Sequence, residues 1–133
     1  MITIPKHIYD DLVQHAKEGF PLEVCGILGG TDDTISANYR MTNTDASNEH
    51  FMMDPKEQFS VVKDLRAKEF SMLAIYHSHP ETPARPSEED IKLALTPDVS
   101  YIIISLADPG KADMRSFKIS NGDVIAEEIV VSA

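Results

Sequence analysis

Two histidines one residue apart, His77 and His79, follow the apolar run Met72 to Tyr76. In an extended strand residues two apart share a face, so both imidazoles project together while Ser78 points away. Asp90 lies eleven residues after His79, beyond the segment Pro80 to Pro86, which carries three prolines. Those prolines forbid regular structure, and a stiff loop of this kind could return Asp90 towards the strand end. Two His and one Asp make a three-ligand site with an open fourth position, the arrangement of catalytic rather than structural zinc. One zinc per chain is therefore expected. Cys25 is the sole cysteine, which excludes an internal disulfide and a cysteine-built zinc cage.

Each piece alone has a plain explanation. His-x-His is common in loops, and Ser87 with Asp90 forms a Ser-x-x-Asp pair ahead of a helix, which capping explains. The combination His-x-His, seven residues, Ser, two residues, Asp is different, since chance produces it in roughly one chain of this length in several thousand. Glu23, in Pro21-Leu22-Glu23-Val24-Cys25-Gly26, adds a carboxylate at the entry to the first apolar strand. By itself that is an exposed strand-end glutamate.

The elements that must position these residues can be read in order. Pro5 occupies a first helical position, Ile8, Leu12 and Ala16 recur four apart, and Gly19 stops the helix. Val24 to Leu28 and Ile35 to Met41 read as a hairpin, with Gly29-Gly30 in the turn between them. Asp54-Pro55-Lys56-Glu57 is a capping sequence for a second helix running to about Glu69 and burying Phe59, Val62 and Leu65. Met72 to Tyr76 then delivers the histidines. Ser87 begins a short helix to Leu95, stopped by Pro97, and strands follow at Tyr101 to Leu106, Met114 to Ile119 and Val124 to Val131. This order fits a mixed α/β domain, a largely antiparallel sheet flanked by helices. No repeat or low-complexity tract divides the chain, so residues 1–133 are expected to form one domain.

Twenty-two acidic residues against twelve basic ones leave a net charge of −10. No stripe of Lys and Arg is available to neutralise phosphates, which argues against nucleic acid and anionic membranes as partners. The N-terminal residues lack signal-peptide character and no apolar run is long enough to span a bilayer, so a cytoplasmic protein is expected.

Glu23 ahead of Cys25-Gly26-Ile27-Leu28, then His77-Ser78-His79-Pro80, then Ser87 and Asp90, resemble the motif of the JAMM, or MPN-plus, metallopeptidases. The resemblance spans residues 23 to 90, with no motif position missing. It implies a curved sheet flanked by helices, cytidine-deaminase-like in architecture, and zinc on His77, His79 and Asp90. It also implies that Glu23 is the general base for a zinc-activated water and that Ser87 stands beside the reacting carbonyl. The implied substrate is the C-terminal tail of a ubiquitin-like protein, of the sulfur-carrier type for a small prokaryotic-type member. So short a chain leaves little room for the insertions that recognise a second ubiquitin.

Competing readings are weaker. Nothing pairs Cys25 with a particular histidine, so it reads as packing rather than as a nucleophile. Gly29-Gly30 lacks a phosphate-loop pattern. A zinc nucleobase deaminase would need His-x-Glu and Cys-x-x-Cys, both absent. His7, His15 and His50 have no ligand spacing and read as surface residues. The alternative function is an inactive MPN-type binding scaffold with a structural metal, which the complete Glu23 and Ser87 set disfavours. A homodimer is left open.

Overall fold

The computed structural model describes residues 1–108 and 110–133. Its centre is an eight-stranded sheet in the order β7-β6-β5-β4-β2-β3-β1-β8. In chain order the elements are β1 (Ile2–Pro5), α1 (Lys6–Gly19), β2 (Cys25–Thr31), β3 (Thr34–Met41), α2 (Pro55–Ala67) and β4 (Ser71–His79). They are followed by α3 (Glu88–Lys92), β5 (Ser100–Ser105), β6 (Asp113–Ser120), β7 (Asp123–Glu127) and β8 (Ile129–Ser132). Four of the seven pairings are antiparallel; β1 with β3, β1 with β8, and β4 with β5 are parallel. β7 and β8 lie at opposite ends of that order, yet only Glu128 separates them in the chain. The two edges must therefore lie close together, which curves the sheet strongly. Among the described residues no helix is long and apolar enough to cross a membrane.

Strand alternation builds two cores. On one face Leu28, Ala74, Tyr76, Ile102 and Ile104 pack with Ile8, Leu12 and Ala16 of α1. On the other, Cys25 and Ile27 pack with Val61 and Leu65 of α2, and Tyr101, Ile103, Phe117 and Ile119 extend this side beyond β4. Period-2 alternation along β4 consequently sends Ile75 and His77 to the α2 side.

Several expectations are corrected. Pro5 is not the first helical residue; it ends β1 with extended ψ and caps α1. Gly29 and Gly30 do not form the turn. They are buried inside β2 beside a bulge, and a Cβ on Gly30 would overlap the Thr34 carbonyl oxygen. Close backbone approach, not turning, is what demands glycine there. The turn falls at Asp32-Asp33, with Asp32 at φ 56°. In α2, Asp54 accepts from the Lys56 amide as a cap should, but Glu57 turns to the Thr42 amide and hydroxyl at 2.7 and 2.8 Å. Phe59 and Val62 are 66% and 37% exposed, and Val61 with Leu65 forms the buried stripe. The third helix is shorter than expected, and the run Val124 to Val131 is two strands serving opposite edges of the sheet.

The crossover after β4 positions the site. Parallel partners such as β4 and β5 need a connection that crosses back, and this one carries the proline loop and α3 over the C-terminal end of β4.

Candidate metal and active site

His77 and His79 end β4, and Asp90 sits in α3 directly above them. His77 Nε2 lies 3.1 Å from His79 Nε2 and 3.2 Å from Asp90 Oδ2, and His79 Nε2 lies 3.0 Å from the same oxygen. His79 Nδ1 is 2.9 Å from the Pro83 carbonyl oxygen. A carbonyl only accepts, so Nδ1 carries the proton and neutral His79 presents a bare Nε2 to the centre. A lone pair facing a carboxylate oxygen at 3.0 Å requires a proton or a cation between them. Three ligands at about 2.0–2.2 Å from one ion in tetrahedral directions stand about 3.3–3.5 Å apart, within a few tenths of an ångström of the observed triangle. The described residues therefore fit a metal, and these three form the one group that could hold it.

Asp90 is aimed by its own helix. Its Oδ2 accepts the Ser87 amide at 2.9 Å while Ser87 Oγ accepts the Asp90 amide at 3.1 Å, a reciprocal capping box. The box that starts α3 thus also orients the carboxylate. Burial would raise the Asp90 carboxyl, but hydrogen bonds to His77 and His79 hold it well below the usual carboxylate range. Burial lowers the fully enclosed His77, favouring the neutral imidazole a metal needs. Burial also opposes the charged form of His79, but Asp90 and the Pro83 carbonyl outweigh it and raise its pKa.

Glu23 is not an exposed strand-end carboxylate. Only 4% of it is accessible, and Oε1 is buried without a hydrogen-bond partner among the described residues. Cys25 pairs with His77 across β2 and β4, and one step further Val24 and Ser78 are bonded through Val24 N to Ser78 Oγ, 2.8 Å, and Ser78 N to Val24 O, 3.0 Å. Continuing that register sets Glu23 opposite His79. Burial pushes its carboxyl up to about 7; the nearby His79 works against this, and Asp90 and Glu89 add to it. A carboxylate poised near neutrality in a cleft is suited to exchanging protons.

Two neighbours escaped sequence reasoning. Phe51 stacks on His77 with ring centroids 4.7 Å apart and planes 25° from parallel. It lines a cleft with His50, Pro86, Glu89, Leu93 and Tyr101, so His50 is a half-buried wall of the site. His15 is not a simple surface residue either, because its Nδ1 is 2.6 Å from the buried Tyr76 hydroxyl. No spacing rule links residue 51 to residue 77; only the folded loop does. Cys25 is wholly buried, and burial, reinforced by Glu57 and Glu23, pushes its thiol up to about 12. That removes it as a nucleophile.

Fold and cleft together define a hydrolase of the JAB class. The chain belongs to the family described as prokaryotic homologs of the JAB domain, whose profile matches residues 5–120. It is 34% identical to the CysO-cysteine peptidase of Mycobacterium tuberculosis over 133 residues, covering 98% of this chain and 91% of that protein. The desampylase of Haloferax volcanii is 34% identical over 103 residues, 72% of this chain and 74% of that one. The solution structure of protein DSY2949 from Desulfitobacterium hafniense superposes with a TM-score of 0.91 at 46% identity, covering 99% of this chain and 93% of that one.

Proposed function

We propose that this chain is a zinc-dependent peptidase that cleaves the amide bond following the C-terminal tail of a ubiquitin-like protein of the sulfur-carrier type. The observation that carries the reading is the convergence of His77, His79 and Asp90 on one point, beside the buried Glu23 carboxylate, whose Oε1 has no hydrogen-bond partner among the described residues. The relatives named CysO-cysteine peptidase and desampylase support this choice of substrate class. His77 and His79 would hold zinc through Nε2 and Asp90 through Oδ2. When bound, zinc supplies Lewis-acid polarisation of a carbonyl and brings the pKa of coordinated water to about 7.

The chain's own groups do the rest. Glu23 accepts a proton from the attacking water on a carboxylate oxygen and passes it to the departing amine. Ser87 Oγ already accepts the Asp90 amide, which leaves its hydroxyl hydrogen free to donate to the oxyanion formed on the substrate. A Gly-Gly end suits the site because larger side chains would crowd the ligands.

Mass spectrometry of zinc-loaded protein offered matched adducts ending in Gly-Gly or Ala-Ala, beside unrelated peptides, tests the substrate. Release from the Gly-Gly adduct is expected to dominate; equal cleavage of all three would reject the ubiquitin-like tail. Ser87→Ala separates two roles of one residue. Losing a cap costs about 1 kcal/mol of stability, whereas losing an oxyanion donor costs about 10²–10³ in kcat. The proposal expects both, and a lower melting temperature with an unchanged rate per folded molecule would leave only the cap.

A further inference from the structure

The loop joining β3 to α2 closes around one side chain. Asn43 Nδ2 donates to the carbonyls of Glu23 and His50, each at 3.1 Å, and Asn43 Oδ1 accepts the amides of Asp45 and Met52 at 3.0 and 3.1 Å. A carboxamide has two donor hydrogens and two acceptor lone pairs, so its capacity is fully used. The Glu23 amide donates to Ser47 O at 2.8 Å in the same loop. Both backbone polar groups of Glu23 are thus tied to residues 43–47, while its carboxylate Oε1 is buried without a hydrogen-bond partner among the described residues. With no hydrogen bond to Oε1 among the described residues, the position of the side chain depends on how its backbone is held. On the other flank Val24 is bolted to Ser78, between the two histidines.

We propose that Asn43 is a positioning residue for Glu23, strapping the peptide of the base to the loop that carries His50 and Phe51. This rests on Glu23 being the proton-transfer group. Misplacing such a group by about an ångström can cost on the order of 10²-fold in rate.

A double-mutant cycle reads the coupling directly. Asn43→Ala in the zinc-loaded enzyme is expected to lower kcat on the Gly-Gly adduct by roughly 10- to 100-fold, with KM and zinc stoichiometry near wild type. In a Glu23→Gln background the same change should slow turnover by less than about threefold, because Asn43 acts through the group already removed. Thr44→Val, which deletes only the Thr44 hydroxyl bond to Met52 O in this loop, should leave the rate unchanged. Amide exchange at Glu23 gives a readout independent of substrate and should quicken at least tenfold in Asn43→Ala but not in Thr44→Val. Should Asn43→Ala fail to fold, Asn43→Ser runs the same cycle. Full additivity with Glu23→Gln, or unaltered exchange at Glu23, would overturn the role of Asn43. A wild-type rate in Glu23→Gln alone would instead remove the base, and cleavage of no adduct would remove the substrate, the exchange result still deciding on Asn43.

Discussion

Glu23→Gln is expected to keep the fold and the metal while lowering turnover by about 10²- to 10⁴-fold, the usual worth of a positioned acid-base group. Glutamine has nearly the same shape but cannot take the proton. The same substitution should make the metal-free protein more stable at neutral pH. The carboxyl has an ordinary value of 4.5 and is pushed by burial to about 7 in the folded chain. As pH rises through that interval, the unfolded chain releases a proton that the folded one retains, so wild-type stability falls across the window and stays reduced above it. Glutamine carries no such penalty. Urea unfolding of chelator-treated proteins should show Glu23→Gln ahead by roughly 1–3 kcal/mol at pH 8, with the advantage gone below about pH 4.5. A wild-type rate would return Glu23 to an incidental buried acid, and identical unfolding curves at pH 8 would remove the upward shift of its carboxyl.

Removing a ligand should abolish zinc binding. His79→Ala and Asp90→Ala each leave two donors; since losing even an outer partner of a ligand costs about 10- to 100-fold in affinity, losing the ligand itself should cost at least ~10³-fold. Asp90 has a second burden, because its Oδ2 also receives the Ser87 amide. Asp90→Ala should therefore loosen α3 as well, whereas Asp90→Asn keeps an acceptor for that amide and isolates the loss of charge. Elemental analysis after dialysis should fall from about one zinc per chain to near none, with circular dichroism reporting retained folding and hydrolysis of the Gly-Gly adduct lost. Undiminished zinc in folded His79→Ala and Asp90→Ala would remove these residues from the metal centre.

Much of this site was legible because its geometry is local. His77 and His79 share a face through strand periodicity alone, and Ser87 with Asp90 forms a cap whose spacing is fixed by one helical turn. The return of α3 over β4, at which the prolines hinted, and the pairing of β2 with β4 that sets Glu23 opposite His79 needed the fold. What stayed hidden depends on distant partners. Asn43 in a polar stretch looks like any turn residue until four backbone groups close on it. Phe51 acquires meaning only by lying on His77. In the fold, Gly29-Gly30 read as a turn because glycine pairs usually are, but here β3 and Leu65 press too closely for side chains. Phe59 was misplaced because helical periodicity gives a stripe, not its phase. β1 escaped notice because four residues pair on both sides with strands far along the chain.

The burial of Cys25 bears on how such an enzyme endures. A hydrolase built on a nucleophilic sulfur is silenced by peroxide or alkylating agents, since the ionised form that performs the reaction is also the form that is damaged. Here the sole sulfhydryl is buried beside the histidine strand and kept un-ionised, while the proposed hydrolysis is assigned to nitrogen and oxygen groups. On the proposed function, hydrolysis by the zinc-loaded chain should survive peroxide or alkylating treatment that would halt a thiol-dependent counterpart.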